Sequence, residues 1–159
     1  MSETNELADK LRLEGEKIYK FFKGLTDMQW AIEVYTENEV WTIRNILAHL
    51  MTAERGFVSL FEDILQGGIG VGEDFVIDRF NAGQQKRTKE INPDELLEQY
   101  KIIREKMIQF VAGIEDSDLE KVGRHPFLGL TTLREMIKMI YIHNQIHFRD
   151  IKKVLKNSF

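Results

Sequence analysis

The stretch that most constrains this chain is its last long one, Thr132 to Lys156, TLREMIKMIYIHNQIHFRDIKKVLK. At about 100° per residue its apolar face is Leu133, Met136, Ile137, Ile140, Ile151, Val154 and Leu155. In the middle of that face, where a core stripe calls for aliphatics, stand His143, Asn144 and His147. A polar side chain facing a core costs free energy unless it finds a partner. The two histidines are four residues apart, so one helical turn presents both imidazoles to the same point. That spacing is how a helix offers two ligands to one metal ion.

The remainder of the chain reads as further helices. Pro93 and Pro126 are the only prolines, and long segments between them space their apolar residues by three and four. A first helix runs over Asn5 to Gly24, with Leu7, Leu11, Ile18, Phe21 and Phe22 on one stripe. Gly15 weakens it by about 1 kcal/mol relative to alanine. After Thr26 the pattern gives a short helical turn, then an extended piece around Ile32 to Tyr35. Thr42 caps a second helix, whose stripe passes through Ile43, Ile46, Leu47, Leu50, Phe57, Phe61 and Ile64 before Gly67 ends it. The segment GGIGVGED is too rich in glycine for regular structure and lacks the lysine and hydroxyl of a phosphate loop; it reads as a crossing over the end of the molecule. Asp74 to Lys89 reads as a short helix. Asn92-Pro93-Asp94-Glu95 is a strong start for a third long one. A turn at Asp116 to Glu120 and a loop, GRHPFLGL, lead to Thr132, which with Glu135 opens the last helix. Four long helices with short accessory ones make an all-α helix bundle.

The 159 residues, 43% hydrophobic and 30% charged, suit one globular domain over residues 1–159. A net charge of −4 and a pI of about 5.6 provide no basic field for nucleic acid or an anionic membrane, so neither is expected as a partner. There is no cysteine for a disulfide, a thiolate ligand or a nucleophile. The polar start MSETNELADK differs from a secretory signal, and no apolar run reaches the length of a membrane span. The expected location is the cytoplasm.

On the second helix His49 lies at the edge of the apolar stripe, beside Asn45, Thr52, Ala53 and Gly56, which leave room around its ring. Packing that helix against the last one would bring His49 to His143 and His147. Three neutral imidazoles with an open fourth position are a catalytic kind of metal site, suited to zinc, nickel, iron or copper. Spacing alone supports only the pair on the last helix. The other reading is a set of histidines hydrogen-bonded in a core.

WTIRNILAHLMTAE and HPFLGLTTLREMIKMIYIHNQIHFRDI resemble the DinB-like family, also called YfiT-like metal-dependent hydrolases. That pattern has a tryptophan opening the second helix (Trp41), a histidine within it (His49) and a His-Pro-x-x-Gly loop (His125 to Gly129). Its last helix carries two histidines four apart. FNAGQQKRTKEINPDELLEQY fits between them, so the resemblance spans nearly the whole chain. It implies a four-helix bundle in up-down-down-up order, and one divalent metal, zinc or nickel first, on His49, His143 and His147. It further implies a homodimer and a reaction in which a low-molecular-weight thiol of the bacillithiol or mycothiol type is activated for transfer to a small electrophile or for isomerisation, or water for hydrolysis. A non-catalytic metal-binding stress-response protein or a helical interaction module is the alternative.

The family commonly has glutamine three residues after the second ligand, where this chain has Asp150. Asp150 reads as a solvated surface residue in the run RDIKK, with an outer carboxylate orienting a histidine as the alternative. His125, beside Pro126, reads as a structural histidine rather than a ligand. Glu54, inside an apolar stripe and about 140° around the helix from His49, reads as a buried carboxylate paired with an arginine. Trp41 and Trp30 read as packing.

Overall fold

The structure is a computed structural model that describes residues 2–158. Four long helices form its body: α1 (Glu3–Lys23), α3 (Ile43–Leu65), α5 (Pro93–Gly113) and α6 (Leu133–Ser158). Between them lie α2 (Asp27–Trp30), α4 (Ile77–Thr88), a 3-10 turn (Asp116–Glu120) and two short antiparallel hairpins, β1–β2 (Glu33–Tyr35, Trp41–Thr42) and β3–β4 (Val122–His125, Gly129–Thr132).

Local chemistry sets the helix starts. Ser2, Thr42 and Asn92 each accept the N–H of the residue three positions on, satisfying a donor that the first turn leaves free. Pro93 fits the first turn of α5, where a missing N–H costs nothing. The short helix begins at Ile77 and not at Asp74, because Asp74 and Phe75 belong to the turn that precedes it.

Each of α1 and α3 packs against both α5 and α6. Contacts fix the directions. Glu3 meets Arg134 at the start of both α1 and α6, so these run parallel. Arg44, in the first turn of α3, donates to carbonyls just before α5, so that pair is parallel as well. Tyr19 near the end of α1 reaches Glu98 near the start of α5, so those two are antiparallel. The order is up-down-down-up. Because α3 and α5 point the same way, the chain must return the length of the bundle between them, which explains the long segment that contains α4.

Two apolar clusters fill the interior. One, with Leu11, Phe61, Met107, Val111 and Met136, lies toward the end where α6 begins. The other, with Ile18, Phe22, Ile46, Leu50, Leu97 and Tyr100, lies toward the opposite end. Between them sits a polar layer. The Arg104 guanidinium makes two hydrogen bonds to Glu54, at 2.7 and 2.8 Å, and a third to the Leu11 carbonyl at 2.8 Å. Glu54 is thus the paired carboxylate its place in the stripe required. Asn144 donates to the Tyr100 hydroxyl beside this layer. Gly15 now has its reason: a Cβ there would stand 2.9 Å from Arg104 Cγ. The residue that weakens α1 locally is what admits the arginine.

The segment GRHPFLGL is a hairpin and not the loop its glycines suggest. Arg124 pairs with Leu130, and His125 with Gly129. The glycine-rich crossing docks on its edge, with Val71 N–H donating to the Arg124 carbonyl and Arg124 N–H to that of Ile69. Gly70 makes this possible: its φ is +91°, and a Cβ would come within 2.4 Å of the Arg124 nitrogen. No helix among the described residues is long and apolar enough to cross a membrane.

Candidate metal centre

Antiparallel packing of α3 on α6 places His49 against His143 and His147. His143 Nε2 lies 3.1 Å from His49 Nε2 and 3.1 Å from His147 Nε2. Three ring nitrogens of the same kind therefore converge on one point. Tetrahedral ligation at 2.0–2.1 Å requires nitrogens about 3.3 Å apart, close to the two edges that meet at His143.

The imidazoles are also in the right protonation state. Burial first, then the neighbouring rings of His143 and His147, hold His49 well below the usual histidine range. Burial, helped by His147 and His125, lowers His143 to about 3. Burial lowers His147 to about 4, against a weaker upward pull from Asp150. All three are neutral at pH 7, as ligands must be. One nitrogen–nitrogen contact can be relieved by an N–H donor, but a single proton cannot serve both edges of the triangle. The donor set fits a divalent cation.

A tyrosine absent from the sequence-based candidates completes the surroundings. The β1–β2 hairpin sets Tyr35 opposite Trp41, and the Tyr35 hydroxyl lies 2.8 Å from His147 Nδ1 and 2.6 Å from Asp150. A carboxylate only accepts, so the phenol donates to Asp150, and its oxygen accepts the Nδ1–H of His147. That leaves the Nε2 lone pair free for a cation. Burial, then the bond to Asp150, raises the Tyr35 pKa and keeps the phenol protonated. The surface reading of Asp150 is corrected here: the side chain turns back along α6, and only 30% of it is exposed. The relay lay hidden because Tyr35 and His147 are 112 residues apart.

His125 stays out of the triangle. Its Nδ1 accepts the N–H groups of Phe127 and Leu128 at 3.1 and 3.2 Å, capping the turn of its own hairpin, and its ring stacks on Phe57. That is the structural role expected of it. Trp41 does more than fill space, since its ring centre is 5.0 Å from that of His49. Phe127 lies 5.6 Å from His143 on the other side. Aromatic rings thus flank two of the three imidazoles.

The sequence model of the DinB superfamily matches residues 10–151. This chain belongs to the DinB superfamily. Among its relatives, the uncharacterized protein YuaE of Bacillus subtilis (strain 168) is 25% identical over 148 residues, 83% of this chain and 86% of that protein. Among solved structures, YfiT from Bacillus subtilis aligns with a TM-score of 0.79 at 16% identity, covering 99% of this chain and 89% of its own. It is described as "a probable metal-dependent hydrolase with an unusual four-helix bundle topology". The colibactin self-resistance protein ClbS, solved in complex with a dsDNA, aligns with a TM-score of 0.71 at 14% identity over 98% of this chain and 97% of its own. At these identities the two likenesses establish the fold.

Proposed function

We propose that His49, His143 and His147 hold one divalent metal ion, zinc or nickel first, and that the protein is a metal-dependent enzyme. In this reading it activates a low-molecular-weight thiol, of the bacillithiol or mycothiol kind, for transfer to a small electrophile, or water for hydrolysis. The observation that carries the reading is the convergence of three neutral imidazoles, one buried and two half-buried, with His143 Nε2 3.1 Å from both of the others and all three ligand atoms within 4.8 Å of one another. The description of YfiT as metal-dependent supports it. A divalent ion on neutral ligands supplies Lewis acidity, at which a water or thiol loses its proton near neutral pH. The chain's own part is to keep the His147 proton on Nδ1 through Tyr35 and Asp150, and to limit water around the rings with Trp41 and Phe127. Because the chain has no cysteine, a thiol in the reaction comes from outside.

Nucleic acid stays outside the proposed partners although ClbS was solved with it, because a net charge of −4 opposes binding a polyanion. A homodimer in the cytoplasm completes the reading. Exposed Leu13 on α1 with Ile142 and Ile146 on α6 offer apolar surface for a second copy.

Metal content tests the centre directly. Protein produced with metal supplied should carry about one ion per chain, and His147→Ala and His49→Ala should lose it. Full occupancy in His147→Ala would sink the site. With free metal at 100 times Kd, binding adds about 2.7 kcal/mol to stability, measurable as a rise in Tm that a chelator reverses. Conjugation of a panel of thiols to small electrophiles then separates an enzyme from a protein that only binds metal.

A further inference from the structure

Gly56 occupies the interior of α3, where glycine costs about 1 kcal/mol relative to alanine. Packing does not demand it. A Cβ at this position would meet only Phe80 Cζ, at 3.6 Å, an ordinary contact. Gly15 differs, because there the side chain of Arg104 occupies the space. At Gly56 the helix omits a side chain on the face that looks into a cavity beside His49.

That cavity has a volume of about 110 Å³. Ala53, Gly56 and Phe57 of α3 form one wall, Phe75 and Phe80 from the crossing and α4 a second, and Phe127 from the hairpin tip a third. His49 stands at its boundary, and Asn81 is the only other polar side chain among the lining residues. Phe75 and Phe80 lie with ring centres 5.7 Å apart, Phe57 and Phe127 6.1 Å apart. No charged group lines the space.

We propose that this cavity binds a small, uncharged, apolar group of about four to six carbon atoms. The group belongs to a substrate whose reacting end lies at the three histidines, and this last clause rests on the function proposed above. Size follows from volume. A cavity of about 150 Å³ accepts benzene, and this one is smaller. Neutrality follows from the lining. A charge here would lose part of its hydration without a counter-charge, and no carboxylate lines the space to hold a cation. The pocket is half open, and apart from one amide and one imidazole its lining is apolar, which favours an apolar group over a polar one. His49 lies on both the cavity and the nitrogen triangle, which joins the apolar group to the reacting atom.

The test is a titration of the metal-free, full-length protein with 1-fluorobutane, butylammonium and butyrate, three probes of matched size and different charge. Binding is read from the Ala53 methyl resonance and, for the fluorinated probe, from ¹⁹F shifts. We expect saturable binding of 1-fluorobutane alone. Gly56→Leu, which fills the cavity, should weaken it at least tenfold. Gly56→Ala adds one methyl without a clash, so it keeps the fold even if the leucine variant does not, and should weaken binding about fourfold. No shift at Ala53 up to the probe's solubility limit, undiminished affinity in Gly56→Ala, or preference for either charged probe overturns the proposal. The two readings fail separately: a chain that takes up metal and ignores 1-fluorobutane loses only the apolar subsite, and the converse loses only the metal centre.

Discussion

His49 and Glu54 lie within two turns of each other on α3, and each brings an ionisable side chain into the interior. Around Glu54 the opposite charge is present: Arg104 meets it with a bidentate pair and spends a further donor on the Leu11 carbonyl. Burial alone would lower the Arg104 pKa, but the Glu54 carboxylate outweighs it and moves it up. Around His49 the neighbours are two more groups of the same kind, with their Nε2 atoms turned toward one another. A complete set of opposite charges ties helices together. A set of like nitrogens turned toward one another lacks that internal complement and could hold a metal ion.

The sharpest break between the two clusters is in stability without metal. Arg104→Ala leaves Glu54 buried without its cation and should cost about 3–5 kcal/mol. His147→Ala, in protein freed of metal, relieves a crowded pair of nitrogens and should cost about 1 kcal/mol. Urea unfolding of both variants in chelator decides the matter. Equal losses would mean that the histidines are a structural core set after all.

Next in size is the relay. Tyr35→Phe removes the acceptor of the His147 Nδ1–H and should weaken metal affinity about 10–100-fold, with little change in metal-free stability. Competition against a fluorescent chelator measures this. An unchanged affinity would reduce the Tyr35–Asp150 contact to packing. Gly15→Ala comes third. Helix propensity alone predicts a gain, yet the new Cβ at 2.9 Å from Arg104 Cγ should cost about 1–2 kcal/mol, because the arginine is held by Glu54 and cannot swing aside. A more stable Gly15→Ala protein would show that the layer is loosely packed.

How much of this was legible in the sequence follows from how far each signal reaches along the chain. Caps at Thr42 and Asn92 and the His143–His147 pair are local, and all three are found where the residues indicate. His49 joined the pair only through an assumed packing of the two helices and then the family pattern, because no spacing rule links two helices. Glu54 stood out as a charge in an apolar stripe, yet its partner on α5 did not, since one arginine in a helix with charges on several faces is ordinary. Gly15 looked like a local cost because its benefit belongs to Arg104, on another helix. Asp150 was misread for the same reason: RDIKK is a solvated run by composition, and the hydroxyl that turns it inward comes from a hairpin. The β3–β4 hairpin was missed because its strands are four residues each, too short for alternation to show.

The last expected effect separates the clusters by their response to pH. Glu14 stands 3.6 Å from Arg104 Nη2 without a hydrogen bond, and its side chain is 12% exposed. Burial, only partly offset by Arg104, pushes its carboxyl up from 4.5 to about 7. A folded pKa above the unfolded one means that the folded chain holds the proton more tightly, so this contribution is intact below pH 4.5 and is lost as pH rises through 7. The histidines act in the opposite sense. His143 and His147 are lowered to about 3 and about 4, so their contribution is intact above 6.5 and is lost as pH falls. In metal-free wild type the two slopes oppose each other between pH 4.5 and 6.5. Glu14→Gln removes one and leaves the other, so its stability relative to wild type should grow by about 1 kcal/mol per pH unit from 4.5 to 7. Urea midpoints at half-unit steps of pH measure that difference. A difference constant with pH would mean that Glu14 is ionised at neutral pH and that the Arg104 layer holds two carboxylates at once. The Arg104 layer would then need a second positive charge to be complete.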